Sequence, residues 1–448
     1  MSSIFRLYDV RGVYPRQINE DIIYRVGLCA RKLFSSRRPI IVGRDGRNSS
    51  PQLYTALLQG LSCASVPFFD VGLMTKPMMV FLIHHYHCAG GIMITASHNP
   101  KEYNGIKIAD KKGHDISGMH VERLLAGQGK SVGSLSAVFP IKQSSHRYYQ
   151  AYVAFLLKKL DLYAPIKVVA DASNGATAPL LRLIAKKASR LSLVVINDIV
   201  DGNFPAHGPN PLAPEALKNL CVRVRKENAD FGVAFDGDGD RAVFVDNTGT
   251  VVPSEYIWRL FICDGGNHAC VHTVASAYAV KQLTSSIDEE KTKLYESHVG
   301  RLGVEKTLQR YRADLGFENT GHYYSSDFFS TDSGLWALIK CASRISCLPY
   351  TLSTFRSLLP FVGFMCEDEA SFDRKNFFIL KEAIRKHFAS RVVSFSYADG
   401  IAAWFSCGWF LVRTSNTQDS VRFYVAAKTA KDARSIFSSV KKIIQADI

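Results

Sequence analysis

Two stretches of this 448-residue chain place reactive side chains just past apolar runs. Gly91-Ile92-Met93-Ile94 reads as a buried strand that breaks into Thr95-Ala96-Ser97-His98-Asn99-Pro100. That leaves the Ser97 hydroxyl exposed at a sheet edge, where a nucleophile would sit. Taken alone, the same residues also suit a capped turn before Pro100. The second stretch, Phe235-Asp236-Gly237-Asp238-Gly239-Asp240-Arg241, sets three carboxylates at alternate positions between glycines. Hard oxygen ligands so arranged suit Mg²⁺, which takes octahedral coordination at about 2.0–2.1 Å. An acidic turn without a ligand would pack repelling carboxylates beside Val233-Ala234-Phe235. Such a turn is costly unless a cation or Arg241 neutralises it. A Ser/His hydrolase built on Ser97 and His98 is disfavoured, because adjacent residues rarely point at one another and no G-x-S-x-G elbow is present.

Both stretches need strands to deliver them. From Arg38 the pattern alternates: a strand from Pro39 to Val42, a helix opened by Ser50 as N-cap and Pro51 as first helical residue and running to about Ala64, a strand from Pro67 to Val71, a helix from Pro77, and the strand Gly91 to Thr95. A second α/β unit begins near Tyr148, with strands at Lys167–Asp171, Ser192–Ile196 and Phe231–Phe235 and helices at Ala176–Lys187 and Pro214–Glu227. This βαβ order predicts mostly parallel sheets with covered faces, whose ligands gather beyond the strand ends. A third unit carries a helix from Ser254, a strand at Ala269–Thr273, and the segments His298-Val299-Gly300-Arg301 and Gly316 to His322. The last segment reads as α+β: a helix from Phe377 to Phe388, four strands between Arg391 and Val425, and a final helix with an apolar stripe of Ala433, Ile436, Phe437, Val440, Ile443 and Ile444. The expected domains are 1–145, 146–250, 251–352 and 353–448. Repetition among the three α/β units is too faint to read from the residues themselves.

Composition sets the outer limits. A hydrophobic share of 47% with 21% charged residues is that of a globular chain, and its length calls for several cores. The net charge of +15 invites a nucleic-acid reading, but the Lys/Arg pairs are dispersed with no block of five, so we expect no nucleic-acid partner. An anionic small substrate is the milder use of that charge. The ten cysteines contain no C-x-x-C pair and are expected to be reduced. His84, His85 and His87 lack the i, i+4 spacing of a helical zinc site and receive no role. With neither a signal-peptide core nor an apolar run of 18 residues, a cytoplasmic protein without a membrane partner is expected, as monomer or weak dimer.

The pair of motifs, together with Tyr8-Asp9-Val10-Arg11-Gly12, Gly43-Arg44-Asp45-Gly46-Arg47, Asp201-Gly202-Asn203-Phe204-Pro205, Gly316-Phe317-Glu318-Asn319-Thr320-Gly321-His322 and Arg413-Thr414-Ser415-Asn416-Thr417, resembles the α-D-phosphohexomutases in their order along the chain. The phosphomannomutase/phosphoglucomutase branch is the nearest. The resemblance implies three similar α/β domains with mostly parallel mixed sheets plus a C-terminal α+β domain, arranged around a central cleft. It implies exchange of hexose 1-phosphate and 6-phosphate, of mannose and/or glucose, through a phosphoserine at Ser97 and a hexose 1,6-bisphosphate that also serves as activator. One Mg²⁺ per chain would be held by Asp236, Asp238, Asp240 and Ser97. Lys107, Arg11, His98 and Arg241 would surround the phosphate, with Lys107 as general acid/base and His322 as a further candidate. Glu318 and Thr320 would read the sugar, Arg301 stands where relatives place a cation or histidine, and Arg413, Ser415, Asn416 and Thr417 would cradle the distal phosphate. Gln418-Asp419 departs from the usual Glu-Pro and places a carboxylate near a dianion. The rival readings are a phosphoglucosamine mutase and, from another class, a nucleic-acid-binding protein on an inactive mutase fold.

Overall fold

The computed structural model describes residues 4–34, 36–127, 145–284, 290–415 and 419–446. The chain forms two compact units, one holding Ser3–Cys263 and Thr320–Ser357, the other Asp264–Asn319 and Leu358–Ile448. The first begins with β1 (Val10–Val13), α1 (Glu20–Leu33), β2 (Ile40–Arg44), α2 (Ser50–Cys63), β3 (Phe68–Leu73), α3 (Lys76–His85), β4 (Gly90–Ile94), β5 (Tyr103–Asp110) and α4 (Gly118–Ala126). Its sheet runs β3-β2-β4-β5-β1. Strand β2 is parallel to its neighbours β3 and β4, and β5 lies antiparallel to β4 and β1. The runs Ile40-Ile41-Val42 and Ile92-Met93-Ile94 are wholly buried, as strands covered on both faces must be. Asn19 caps α1 by accepting from the Ile22 N–H, with Glu20 and Asp21 in its first turn and Arg31 and Lys32 in its last. Its apolar face, Ile23, Val26 and Ala30, shares one core with Leu53, Leu57 and Leu61 of α2 and with Ile92, Ile94, Ile106 and Ile108 of the sheet.

The expected cap of α2 differs by one residue. Ser49 occupies the cap without a side-chain bond, and Ser50 is the first helical residue. The Ser50 hydroxyl, inside the first turn, donates to the buried Asp45 Oδ1 at 2.6 Å, a charge-assisted bond.

The second sheet is made by α5 (Ser145–Leu157), β6 (Ile166–Asp171), α6 (Ala178–Lys187), β7 (Leu191–Ile196), α7 (Lys218–Glu227), β8 (Phe231–Phe235), β9 (Ala242–Asp246) and β10 (Val251–Val252), in the order β7-β6-β8-β9-β10. Helix α7 starts at Lys218 rather than Pro214, since Glu215 takes a left-handed φ of 66° that interrupts helical bonding. After α8 (Ser254–Phe261) the chain enters the second unit with β11 (His268–Thr273), α9 (Ala277–Thr284), β12 (Thr292–Ser297), α10 (Arg301–Tyr311) and β13 (Leu315–Phe317), where β11 is parallel to both β12 and β13. It returns to the first with the antiparallel pair β14 (Tyr323–Ser325) and β15 (Thr331–Asp332), then α11 (Gly334–Ser346) and α12 (Leu352–Leu358). The remainder of the second unit comprises β16 (Phe364–Ser371), α13 (Phe377–Phe388), β17 (Ser394–Ser396), β18 (Ile401–Trp404), β19 (Gly408–Thr414), β20 (Ser420–Ala427) and α14 (Ala430–Gln445). Its antiparallel sheet runs β16-β20-β19-β18-β17, and Leu380, Ile384 and Phe388 of α13 pack over it beside Ala433, Ile436, Val440 and Ile444 of α14.

The repetition hidden in the residues is plain in the topology. A parallel triplet with the strand that comes first in the chain in the middle occurs three times, as β3-β2-β4, β7-β6-β8 and β12-β11-β13. In each case the third strand of the triplet runs out into a loop that holds candidate site residues: residues 95–102 after β4, 236–241 after β8, and 318–322 after β13. No helix among the described residues is long and apolar enough to cross a membrane.

Candidate active site

The serine loop and the aspartate loop leave equivalent strand ends of two sheets in the first unit, and they meet. Ser97 Oγ donates to Asp236 Oδ2 at 2.8 Å. Thr95 braces the approach: its Oγ1 accepts from the Ser97 N–H at 2.9 Å and lies 3.4 Å from Asp238 Oδ2. Ser97 itself has φ 50°, a left-handed conformation that costs a residue other than glycine roughly 1–2 kcal/mol. Strain of that kind persists only where surrounding contacts impose it.

The aspartate loop is clasped from below. Three consecutive carbonyls, Gly237 O, Asp238 O and Gly239 O, accept from the backbone N–H groups of Ala176, Lys76 and Gly334, which lie at or beside the starts of α6, α3 and α11. Helix starts carry unpaired N–H groups, so three of them hold the loop by bonds it cannot make to itself. Gly237 is required by proximity, because a Cβ there would sit 2.7 Å from Ser97 O. Gly239 takes φ 76° and has no room either, since a Cβ would lie 2.6 Å from Thr177 Cγ2.

All three carboxylates are fully buried, at 0% exposure, and need a counter-charge. Lys107, on β5 opposite Met93, supplies one: its Nζ lies 2.8 Å from Asp238 Oδ2 and 2.7 Å from Asp240 Oδ2. Burial first, then the charges of Asp240 and Asp238, push the Asp236 carboxyl well above the ordinary range, while Arg241 and Lys107 oppose them. The ligand atoms of Asp236, Asp238 and Asp240 lie within 4.8 Å of one another. Asp238 Oδ1 is buried and accepts no hydrogen bond among the described residues. A set of converging hard oxygens with an unused lone pair fits a small divalent cation.

The other expected phosphate neighbours also belong to this unit. His98 Nδ1 is 3.3 Å from Ser97 Oγ. Desolvation, then Arg241 and Arg11, hold the His98 pKa well below its usual value, so the imidazole is neutral. Arg11, on β1, pairs with Asp9 and donates from Nη1 to Asn99 Oδ1 at 2.6 Å. Arg241 donates from Nε to His322 Nε2 at 3.0 Å, and His322 Nδ1 lies 2.6 Å from Asp332 Oδ2. Since a guanidinium only donates, the His322 proton sits on Nδ1 and points at Asp332. Both ring nitrogens are thereby engaged in orienting Arg241. Sequence reasoning misses Asp332 because nothing in its local pattern marks it, and it names Thr95 within the serine motif without giving it a role.

Thr320 is half-buried in the first unit, two residues before His322. The remaining expected residues belong to the second unit. Glu318 follows β13, buried, and its Oε2 accepts from the Gly300 N–H at 3.0 Å. Arg301 is the first residue of α10 and is buried. Arg413, on β19, donates to Asp399 Oδ2 at 3.0 Å, and the same oxygen accepts from the Val299 N–H. Ser415 is buried, and its carbonyl accepts from Arg374 Nη2 at 2.5 Å. Asn416, Thr417 and Gln418 lie outside the described residues. Asp419 has its carboxylate 3.6 Å from Arg374 Nε, so the unusual negative charge has a local counter-ion.

Four family models described as phosphoglucomutase/phosphomannomutase cover the chain in order: α/β/α domain I matches residues 2–128, domain II 147–249, domain III 256–359 and the C-terminal domain 372–443. A phosphomannomutase/phosphoglucomutase of Pseudomonas aeruginosa is 29% identical over 455 aligned positions, covering 97% of this chain and 94% of that one. A phosphomannomutase of Escherichia coli is 29% identical, covering 95% and 94%. Among solved structures, a phosphoglucomutase/phosphomannomutase family protein of Burkholderia thailandensis superposes with a TM-score of 0.83 at 24% identity, covering 99% of this chain and 97% of that one.

Proposed function

Because this chain belongs to the phosphoglucomutase/phosphomannomutase family, we propose that it interconverts hexose 1-phosphate and hexose 6-phosphate, of mannose and/or glucose, through a phosphoserine at Ser97 and a hexose 1,6-bisphosphate. The observation that carries this reading is the 2.8 Å bond between Ser97 Oγ and Asp236 Oδ2, which joins a nucleophile to a trio of buried carboxylates. A hydrolase would need a base oriented by a third group and an oxyanion cradle. Here the serine faces anions, which suits an oxygen that carries a phosphoryl group beside a cation.

Asp236, Asp238, Asp240 and the Ser97 oxygen would hold one Mg²⁺, whose chemistry when bound is to withdraw charge from the phosphoryl oxygens. The chain's own residues do the rest. The phosphoryl group leaves Ser97 Oγ as the P–O bond breaks, and a new P–O bond forms to the sugar hydroxyl, whose proton passes to a base. His98 Nδ1, 3.3 Å from Ser97 Oγ, is placed to hold the proton exchanged at that oxygen. Lys107, Arg11 and Arg241 supply positive charge around the transferring group, and the Asp332–His322–Arg241 chain fixes the direction of one of them. The bisphosphate then turns over so that its other phosphate faces Ser97. Glu318 and Thr320 would read sugar hydroxyls, and Arg301, Arg413, Ser415, Asn416 and Thr417 would hold the phosphate that does not react. The four-domain division at 145/146, 250/251 and 352/353 belongs to the same reading.

The test is a coupled assay of purified protein with mannose 1-phosphate and glucose 1-phosphate, Mg²⁺ and a trace of hexose 1,6-bisphosphate. Wild type is expected to turn over, Ser97→Ala to be folded and inactive, and intact-mass measurement to find the phosphate on Ser97. Equal turnover by Ser97→Ala refutes the nucleophile, and a faster rate on glucosamine 1-phosphate than on both hexoses moves the substrate to the amino sugar.

A further inference from the structure

Arg47 lies at 1% exposure, and all five N–H bonds of its guanidinium are taken. Nε donates to Asp45 Oδ2 at 3.1 Å. Nη1 donates to Pro100 O at 2.7 Å and Tyr103 O at 3.1 Å, and Nη2 to Ser97 O and Asn99 O, both at 2.7 Å. Four of the five acceptors are therefore main-chain carbonyls, three from the serine loop, that of the nucleophile among them, and one from Tyr103 at the start of β5. Asp45 is anchored in turn by the Arg47 N–H at 3.0 Å and the Ser50 hydroxyl at 2.6 Å. The ring of Phe204, from the Asp201–Pro205 motif, covers the guanidinium with its centroid 5.3 Å from Cζ. Two motifs that carry no reacting group thus converge on one cation behind the serine.

We propose that Arg47 is the positioning residue of the catalytic serine, holding the loop so that Ser97 keeps its left-handed backbone and its Oγ faces Asp236. The proposal rests on Ser97 being the phosphoryl carrier. Arg47 touches no reacting atom: its contact with Ser97 is to the carbonyl, whereas the 2.8 Å bond to Asp236 comes from the side-chain oxygen. Four peptide planes aimed at one planar fork cannot rotate independently, and φ 50° at Ser97 is a conformation that a serine leaves when it is released. Lysine cannot substitute, because its three donors radiate from one atom whereas the five acceptors lie around a plane. The Phe204 ring lies over the guanidinium and helps keep out water, which would otherwise compete for those carbonyls.

The experiment compares wild type with Arg47→Lys in steady-state turnover of mannose 1-phosphate, alongside circular dichroism and the rate at which the phosphorylated chain loses its phosphate to water, followed by intact mass. The expected result is a folded variant with unchanged KM, kcat lower by about 10²-fold as for an ångström-scale misplacement, and faster loss of phosphate to water. Arg47→Lys turning over as fast as wild type overturns the proposal. So does a kcat loss that disappears when rates are expressed per folded, phosphorylated chain. If Arg47→Lys does not fold, Asp45→Asn, which removes the counter-charge of Arg47 and weakens its Nε contact while leaving the four carbonyl acceptors in place, is expected to lower kcat with KM unchanged, and an unaltered kcat there overturns the proposal. An inactive wild type overturns the function itself, whereas an active wild type matched by Arg47→Lys overturns the role of Arg47 alone.

Discussion

Replacing Lys107 by methionine keeps the aliphatic stem and deletes the ammonium, which isolates what the cation does for the buried carboxylates. Its Nζ serves Asp238 at 2.8 Å and Asp240 at 2.7 Å, in a site where both carboxylates are fully buried. Breaking a buried ion pair by removing one partner costs about 3–5 kcal/mol. Two buried carboxylates lose that ammonium together. The net loss in chelator is therefore about 3–5 kcal/mol, a fall in Tm of roughly 5–10 °C at about 2 °C per kcal/mol for a long chain. Mg²⁺ restores the missing charge. At about 100 times its Kd it contributes about 2.7 kcal/mol by mass action, which closes most of the gap. In wild type the same addition gains less, because the ammonium already occupies two of the oxygens. Thermal unfolding of both proteins in EDTA and in Mg²⁺ reads this out without any turnover. Lys107→Met as stable as wild type in EDTA, or a Mg²⁺ shift of equal size in both, refutes the electrostatic account.

The remaining expectations follow from single contacts. Gly237→Ala should force the serine and aspartate loops apart, since its Cβ would lie 2.7 Å from Ser97 O, and kcat is expected to fall on the order of 10²-fold with the fold retained; unchanged turnover would show that the spacing of the loops does not govern the rate. Glu318→Gln keeps a carbonyl oxygen for the Gly300 N–H, so Tm should hold while KM for hexose phosphates rises about 10-fold or more, the value of a charge-assisted bond of about 1.5–3 kcal/mol; a stable variant with wild-type KM removes Glu318 from sugar recognition. His268 is raised above its ordinary pKa by its bond to Asp314 and then by that to Asp264, against desolvation. Its contribution to stability is complete below the unfolded value of about 6.5 and is lost as pH rises through the raised folded value. Tm measured from acid to alkaline pH should show His268→Gln most destabilised relative to wild type at the acid end, and a pH-independent difference would count against it.

Most of the strands that deliver the site are legible in the sequence, because runs such as Phe231–Phe235 and Gly91–Ile94 are apolar without interruption and end in polar, glycine-rich breaks. Edges are harder. β16 escapes a reading by pattern, since Phe364, Met365 and Glu367 are exposed and the strand alternates poorly. The start of α7 slips because Pro214 signals a helix that the left-handed Glu215 then interrupts. In the site, motif residues are legible and their partners are not. Arg47 stands inside a recognisable motif, yet its loop acceptors lie some fifty residues further on, and Asp332 is an ordinary carboxylate until the fold sets it against His322.

The sequence by itself determined which chemistry the chain can run, because a serine loop and alternating aspartates are local properties that survive in an unfolded peptide. Only the tertiary structure decided how those groups act. Equivalent strand ends of repeated sheets bring residues 97 and 236 within a hydrogen bond, and three helix starts and one buried guanidinium hold the loops in place. Such contacts depend on chain separations of 50 residues, from Arg47 to Ser97, up to 162, from Lys76 to Asp238, across which no local pattern carries information.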